Sequence, residues 1–399
     1  MSQTNKAILL QSASNQFMSG PQIPTKLLAT PWSASKETYY KQLRKIQLDS
    51  TFDWGAQGFS FILPRSLNAI TDVYLRIDLP TLNPGENYKF SRGKYCIDSM
   101  SFRSNGSEIY RIDSYELFLR EWEEGLSVEE LAEFRRVFMG CNSSTTRTHV
   151  GSTVFIPLAL PQTRYARYAH QEGVNYGVLP CRFGNSTTEI VLNMNTAAHL
   201  TLDASHVVPS IAGTANLEFK ELVGKPSLIN AFSEGRGSYS TALPQYIPLN
   251  ADFQNLTANT KHTFRQISPT GSVYSLVFYL LNQGSHVHQE NDASAHLTSI
   301  TVRLDSETVI DMDEHEIKMS AYAHGYRQTN NVVDKMPRLQ FNTMGSKASI
   351  SFRGAIDFRN IQNCEIDITV NADCKCRLYS TRYSRIVLLS SGEFRKYLD

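Results

Sequence analysis

The sequence predicts an all-β chain built as two tandem eight-stranded antiparallel jelly rolls, with an N-terminal arm and helix and a short inserted helix. Three observations carry that expectation. The chain repeats itself at long range, each half holds about eight short strand-like runs, and 399 residues suffice for two domains with separate cores.

The repeat is clearest between SNGSEIYRIDSYELFLREWEEG, starting at Ser104, and LDSETVIDMDEHEIKMSAYAHG, starting at Leu304. A constant offset sets Ser99, Arg103, Asp113, Glu116 and Gly125 on Ser299, Arg303, Asp313, Glu316 and Gly325. Apolar positions keep phase: Met100, Phe102, Ile109, Leu117 and Leu119 meet Ile300, Val302, Val309, Ile317 and Met319. Upstream, Val73-Tyr74 meets Val273-Tyr274, and Phe59 to Pro64 resembles Phe264 to Pro269 across a short length difference. A shared inward/outward phase over such a span points to a duplicated domain.

Taken in order, residues 1–49 form a basic arm and amphipathic helix. Within residues 1–47, Lys6, Lys26, Lys36, Lys41, Arg44 and Lys45 face Glu37 alone, whereas the whole chain has a net charge of only +1. In SASKETYYKQLRKIQL, Tyr39, Leu43 and Ile46 fall at i, i+4, i+7, with Lys36, Lys41, Arg44 and Lys45 mostly off that stripe. Such a helix either docks on its own domain or turns its basic side to a membrane or nucleic acid. Residues 50–224 form the first jelly roll through GFSFILP, TDVYLRIDLP, IDSMSFRS, EIYRI, STVFIPLAL, TEIVLNM, HLTLDA and ANLEFKELV, runs rich in β-branched and aromatic residues and bounded by turn formers. LSVEELAEFRRVFMG interrupts them as a helix, with Ser127 and Glu130 as capping box and Gly140 as stop. Pro and Gly mark 225–237 as a linker. Residues 238–399 form the second jelly roll through KHTFRQI, VYSLVFYLL, HLTSITVRL, TVIDM, ASISFRGAI, EIDITV, KCRLYSTRY and RIVLL.

No apolar run reaches the ~18 residues of a membrane-spanning helix, and the N-terminus lacks the apolar segment of a signal peptide. A soluble protein made in the cytoplasm is expected, with reduced cysteines at 96, 141, 181, 364, 374 and 376. The near-neutral charge excludes a general nucleic-acid binder. His286, His288 and Glu290 share a strand-like spacing but sit among loop formers, and Cys364, Cys374 and Cys376 lack a fourth ligand; loop histidines and buried thiols are the expectation, with no metal and no cofactor. The acidic runs Glu121, Glu123, Glu124 and Asp311, Asp313, Glu314, Glu316 could mimic a carboxylate pair, but runs of this kind usually form solvated faces. No nucleophile, metalloprotease, phosphate-loop or dinucleotide motif occurs, so no catalytic residue is assigned.

One segment carries a family resemblance. A Phe-rich strand ends in Phe61, Ile62, Pro64 and Arg65; a second contains Val73, Tyr74, Leu75, Arg76, Leu79 and Pro80; then come Gly106, Ile112, Asp113, Tyr115 and Trp122, and FIPLAL from Phe155 to Leu160. This order resembles the first jelly roll of the double jelly-roll major capsid proteins, the lineage of nucleo-cytoplasmic large DNA viruses, adenoviruses and tailless membrane-containing phages. It covers about residues 53–160; beyond FIPLAL the aromatic-rich continuation of the large viruses gives way to PQTRYARYAHQEGVNYGVLPCRF. The resemblance implies a non-enzymatic structural protein of the virion, synthesised in the host cytoplasm. Its homotrimers would be pseudo-hexameric capsomers tiling an icosahedral shell over an internal membrane. The implied partners are further copies, minor capsid, penton and vertex proteins, and membrane lipids, with no sequence-specific nucleic acid. The arm would lie beneath the shell, so Lys26, Lys36, Tyr39, Tyr40, Lys41, Leu43, Arg44 and Lys45 are the expected membrane or capsomer contacts. Two other classes fit a double jelly roll: a hydrolase of peptide:N-glycosidase type, needing paired acids between the domains, and a vertex or receptor-binding virion protein.

Overall fold

The computed structural model describes residues 39–47, 54–55, 57–64, 69–88, 96–117, 150–151, 153–158, 160, 179, 181, 187–196, 200–201, 215–224, 240–265, 271–282, 295–323, 337–341, 356–389 and 391–398. The proposed helix at 127–140, the linker 225–237, the His286/His288/Glu290 group, Glu121, Glu123, Glu124, Lys26 and Lys36 lie outside them.

The first half contains β1 (Tyr39–Gln47), β2 (Phe59–Leu63), β3 (Ala69–Asp78), β4 (Ile97–Ser104), β5 (Ser107–Asp113), β6 (Thr153–Pro157), β7 (Thr188–Met194) and β8 (Asn216–Gly224). They form two four-stranded antiparallel sheets, β1-β8-β3-β6 and β2-β7-β4-β5, the strand order of an eight-stranded jelly roll. Alternation builds the core: β2 reads buried, exposed, buried, exposed, buried, so that Phe59, Phe61 and Leu63 meet Ile97, Phe102 and Ile190 inside.

The second half contains β9 (Ser240–Pro248), β10 (Gln254–Leu256), β11 (Lys261–Phe264), β12 (Ser272–Asn282), β13 (Leu297–Leu304), β14 (Glu307–Asp313), α1 (Glu314–Ala323), β15 (Arg338–Gln340), β16 (Ile356–Asp357), β17 (Cys364–Val370), β18 (Cys374–Leu388) and β19 (Phe394–Leu398). Sheet β11-β17-β13-β14 faces a larger sheet in which β18 pairs with β9, β10, β12 and β19, and β12 with β15 and β16. Phe278, Ile300, Val302, Ile366 and Ile368 are fully buried between them.

The repeat is reproduced down to its irregularities. β4 and β13 pair with β5 and β14 in matching register, each with a break after Phe102 or Val302, and both carry a second break after Ile97 or Leu297. Both hairpins turn through two residues of positive φ, Asn105 and Gly106 (53° and 76°) and Asp305 and Ser306 (49° and 74°), the form that follows strand twist. Glycine suits this conformation at 106; at 306 a serine adopts it while Asp305 Oδ1 accepts the Gln362 and Asn363 amides at 2.9 Å. The upstream match needs a shift. Phe61 lies opposite Ile190 as Phe264 lies opposite Ile366, so Phe61 rather than Phe59 is the counterpart of Phe264.

The helix expected from Tyr39 onward is a strand. β1 pairs with β8 along its whole length, Tyr39 opposite Gly224 and Gln47 opposite Asn216. A period of two separates Ile46 from Tyr39 and Leu43, and Ile46 packs on the first core. Pairing with β8 overrides the local helical pattern because it completes the sheet's hydrogen bonds. The expected strands KCRLYSTRY and RIVLL are one continuous β18, and of HLTLDA the described residues are Leu200 and Thr201, the latter bridging to Tyr88.

Candidate functional site

The functional feature is the seam between the sandwiches. β18 serves both. Its first half sends Cys374, Cys376 and Leu378 into the second core, whereas Ile386 and Leu388 join the first core together with Phe394 of β19. The C-terminal hairpin is pinned there by an edge contact of Phe394 on Phe102 at 5.8 Å, by the Phe394 amide donating to Ser104 Oγ at 3.2 Å, and by Asn105 Nδ2 donating to Glu393 Oε1 at 3.3 Å.

On the other side of the seam, the outer face of the second sandwich's large sheet presents Tyr246, Val277, Tyr279, Leu281 and Tyr379 as a buried cluster that receives Tyr115 of the first sandwich. Tyr115 meets Phe253 at 5.2 Å and Tyr279 edge-on at 5.7 Å. The Arg377 guanidinium lies 5.4 Å from the Tyr115 ring, 5.9 Å from Phe253 and 5.3 Å from Tyr379, and 3.6 Å from Asp113 Oδ2. A delocalised cation suits this place because it can stack on rings and face a carboxylate together. Burial pushes the Asp113 carboxyl upward against the pull of the Glu116 amide and of Arg377. Burial likewise raises Tyr115 to about 12 and Tyr379 further.

The acids at the seam serve structure. Asp113 Oδ1 accepts the Glu116 amide at 2.7 Å, an N-terminal cap, and Glu116 Oε1 reaches across to the Tyr246 amide at 3.5 Å. Beside them opens a cleft of about 650 Å³, lined by both sandwiches and including Arg111, Arg382, Arg395 and Lys396 with Glu108 and Glu393. Burial, reinforced by Arg382, lowers Lys396.

The remaining sequence candidates fall elsewhere. Lys45 Nζ bonds Glu218 Oε1 at 2.9 Å, next to Arg76 on the same carboxylate at 3.2 Å, and the Lys45 side chain stays half exposed. Tyr39, Tyr40, Lys41, Leu43 and Arg44 all lie on β1. The acidic stretch at 311 continues as the cap of α1: Glu316 N donates to Asp313 Oδ1 at 2.9 Å and Asp313 N to Glu316 Oε2 at 3.0 Å. Cys96, Cys181, Cys364, Cys374 and Cys376 are buried free thiols, and burial lifts Cys181 and Cys374 to about 12. Among the described residues no helix is long and apolar enough to cross a membrane, and no group of three or more His, Cys, Asp or Glu is arranged around a metal position. Sequence reasoning missed Arg377, Tyr379 and Tyr246. Their signal lay in the repeat, where Tyr115 meets His315 and an aromatic is kept in one copy only.

Two joined jelly rolls of this topology define the double jelly-roll fold. The same fold occurs in solved viral capsid structures. The PBCV-1 virus capsid matches with a TM-score of 0.65 at 10% identity, over 90% of this chain and 98% of that one. The Faustovirus major capsid protein matches with a TM-score of 0.63 at 8% identity, over 97% and 100%. The mavirus major capsid protein matches with a TM-score of 0.56 at 12% identity, over 93% and 91%. No protein-family model matches the sequence, and no curated protein sequence does.

Proposed function

We propose that this chain is the major capsid protein of an icosahedral virus with an internal membrane, acting by assembly rather than catalysis. The observation that carries the reading is the seam: two near-equivalent sandwiches are locked by a shared strand and a shared aromatic cluster into one rigid tile. A subunit with two similar corners generates a six-cornered, threefold-symmetric capsomer from three copies, which closes without leaving open ends. The full-length match to capsid structures supports the same reading. The partners are further copies, minor capsid, penton and vertex proteins; the location is the virion, after synthesis in the host cytoplasm. The basic segment before β1, with Lys26 and Lys36, and the β1 edge from Tyr39 to Arg44 contact neighbouring capsomers or membrane lipid.

Electron microscopy of purified assemblies tests this. Pseudo-hexagonal capsomers of threefold symmetry, covering the particle, are expected. A protein confined to the vertices would overturn the major-capsid reading in favour of a vertex role.

A further inference from the structure

The cleft beside the seam gathers positive charge from both sandwiches. Antiparallel pairing sets Gln245 of β9 opposite Arg382 of β18, and Lys396 of β19 opposite Ile386, further along β18. Side chains of a strand alternate between faces, so Gln245, Arg382, Ile386 and Lys396 share one face of the sheet, the face that Ile386 turns into the first core. Gln245, Arg382 and Lys396 line the cleft of about 650 Å³ together with Arg395 of β19 and, from the first sandwich, Arg111 of β5. Its charged lining is four cations against two carboxylates, Glu108 and Glu393, an excess of two positive charges. Glu393 already accepts from Asn105 Nδ2 at 3.3 Å, and Arg111 donates to Ser99 Oγ at 2.9 Å. Among the described residues the Arg395 and Lys396 side chains have no ion-pair or hydrogen-bond partner. Ser384 Oγ donates to Gln245 Oε1 at 2.6 Å, which leaves the Gln245 Nε2 as a neutral donor. Burial lowers the Lys396 pKa and Arg382 lowers it further, while Glu116 and Glu108 pull the other way. Two half-buried cations near each other cost stability unless an anion joins them.

We propose that this cleft binds a small polyanion carrying phosphate groups, held between β5 of the first sandwich and the β18–β19 hairpin of the second. Phosphate suits the donor set: guanidinium forks meet its oxygens in pairs, the Lys396 ammonium supplies a compact charge, and the Gln245 amide adds a neutral donor. The volume lies in the range of small-molecule sites and exceeds what a single phosphate fills, so a chain of two or three phosphates, free or carried by a nucleoside, fits. Because both sandwiches supply its walls, the bound anion ties the C-terminal hairpin to β5 and tightens the seam. The site is independent of the capsomer reading.

Titration calorimetry of the full chain with inorganic tripolyphosphate, and separately with a nucleoside triphosphate, tests this at constant ionic strength. Saturable one-to-one binding at submillimolar concentration is expected. A nucleoside triphosphate that binds tenfold tighter assigns the site to a nucleotide; one that binds no tighter assigns it to the polyphosphate chain alone. Lys396→Gln and Arg395→Gln should each weaken tripolyphosphate binding about tenfold, the loss of one charge-assisted hydrogen bond. Lys45→Gln, which removes a cation of β1 that meets Glu218, should leave it unchanged. Hydrogen exchange of the wild-type chain reads the same site without a substitution: amides of 107–111 and 392–398 should slow when tripolyphosphate is added. No saturable binding of either probe, binding unmoved by both cleft substitutions, or binding with no added protection at those two segments would each overturn the site.

Discussion

Replacing Arg377 by methionine should loosen the seam by about 3 kcal/mol at pH 7. Methionine keeps most of the side chain's apolar volume, so little of the loss comes from a cavity. The guanidinium lies 5.3 to 5.9 Å from three rings, and with one cation shared among them the stacking is worth about 2 kcal/mol rather than three separate contributions. The Asp113 carboxylate at 3.6 Å is partly solvated and adds about 1 kcal/mol after screening. The two parts separate with pH. Burial holds the folded Asp113 pKa above its unfolded value of 3.8, so this group favours the folded state most below pH 3.8 and loses that advantage as pH rises through its folded value. Below pH 3.8 Asp113 is neutral and has no use for Arg377, and the deficit of the variant should shrink to about 2 kcal/mol, the stacking part. Urea unfolding of wild type, Arg377→Met, Asp113→Asn and the double variant at pH 3.5 and 7 measures both parts. A change below about 0.5 kcal/mol at pH 7, or a deficit independent of pH with no coupling to Asp113, would refute this picture of the seam.

Other predictions follow from the repeat and its exceptions. Gly106→Ser should cost about 1 kcal/mol, since a Cβ there meets open space and only the positive φ penalises it, and Ser306→Gly should recover a comparable amount; reversible denaturant unfolding of both checks the pair. Asp367 is desolvated by burial, which alone would raise its pKa, but Lys261, Thr263 and Arg303 outweigh that and hold it at about 2. Its folded pKa lies below the unfolded 3.8, so it contributes about 2 kcal/mol above pH 3.8, lost as pH falls through about 2; Asp367→Asn should flatten acid unfolding in that window. Deleting residues 1–38 should leave β1 and the assembled capsomer intact but impair closed shells, as scored by electron microscopy of assembly reactions.

How far the sequence revealed this arrangement depends on where each element finds its partners. The hairpins at 97–113 and 297–313 were legible because their own residues alternate, turn and cap locally, and duplication preserved all three signals. β1 was misread because Tyr39, Leu43 and Ile46 satisfy a helical spacing in isolation, whereas its conformation is decided by β8, about 170 residues away. β9 was hidden by Pro244 and Pro248, which are tolerated because among the described strands it is an edge, paired with β18 alone. The seam was the least legible feature. Arg377 and Tyr379 lie on the outward side of a strand whose inward side already explained its pattern, and what they face, Tyr115 and Asp113, is contributed by the other sandwich.

The central claim is that this two-cornered tile is made to assemble in threes. The solution mass of the purified full chain, measured by multi-angle light scattering across a concentration series, tests it most directly. A species near three times the 45.0 kDa chain mass is predicted. A single species at the mass of one chain, at every concentration, would contradict it.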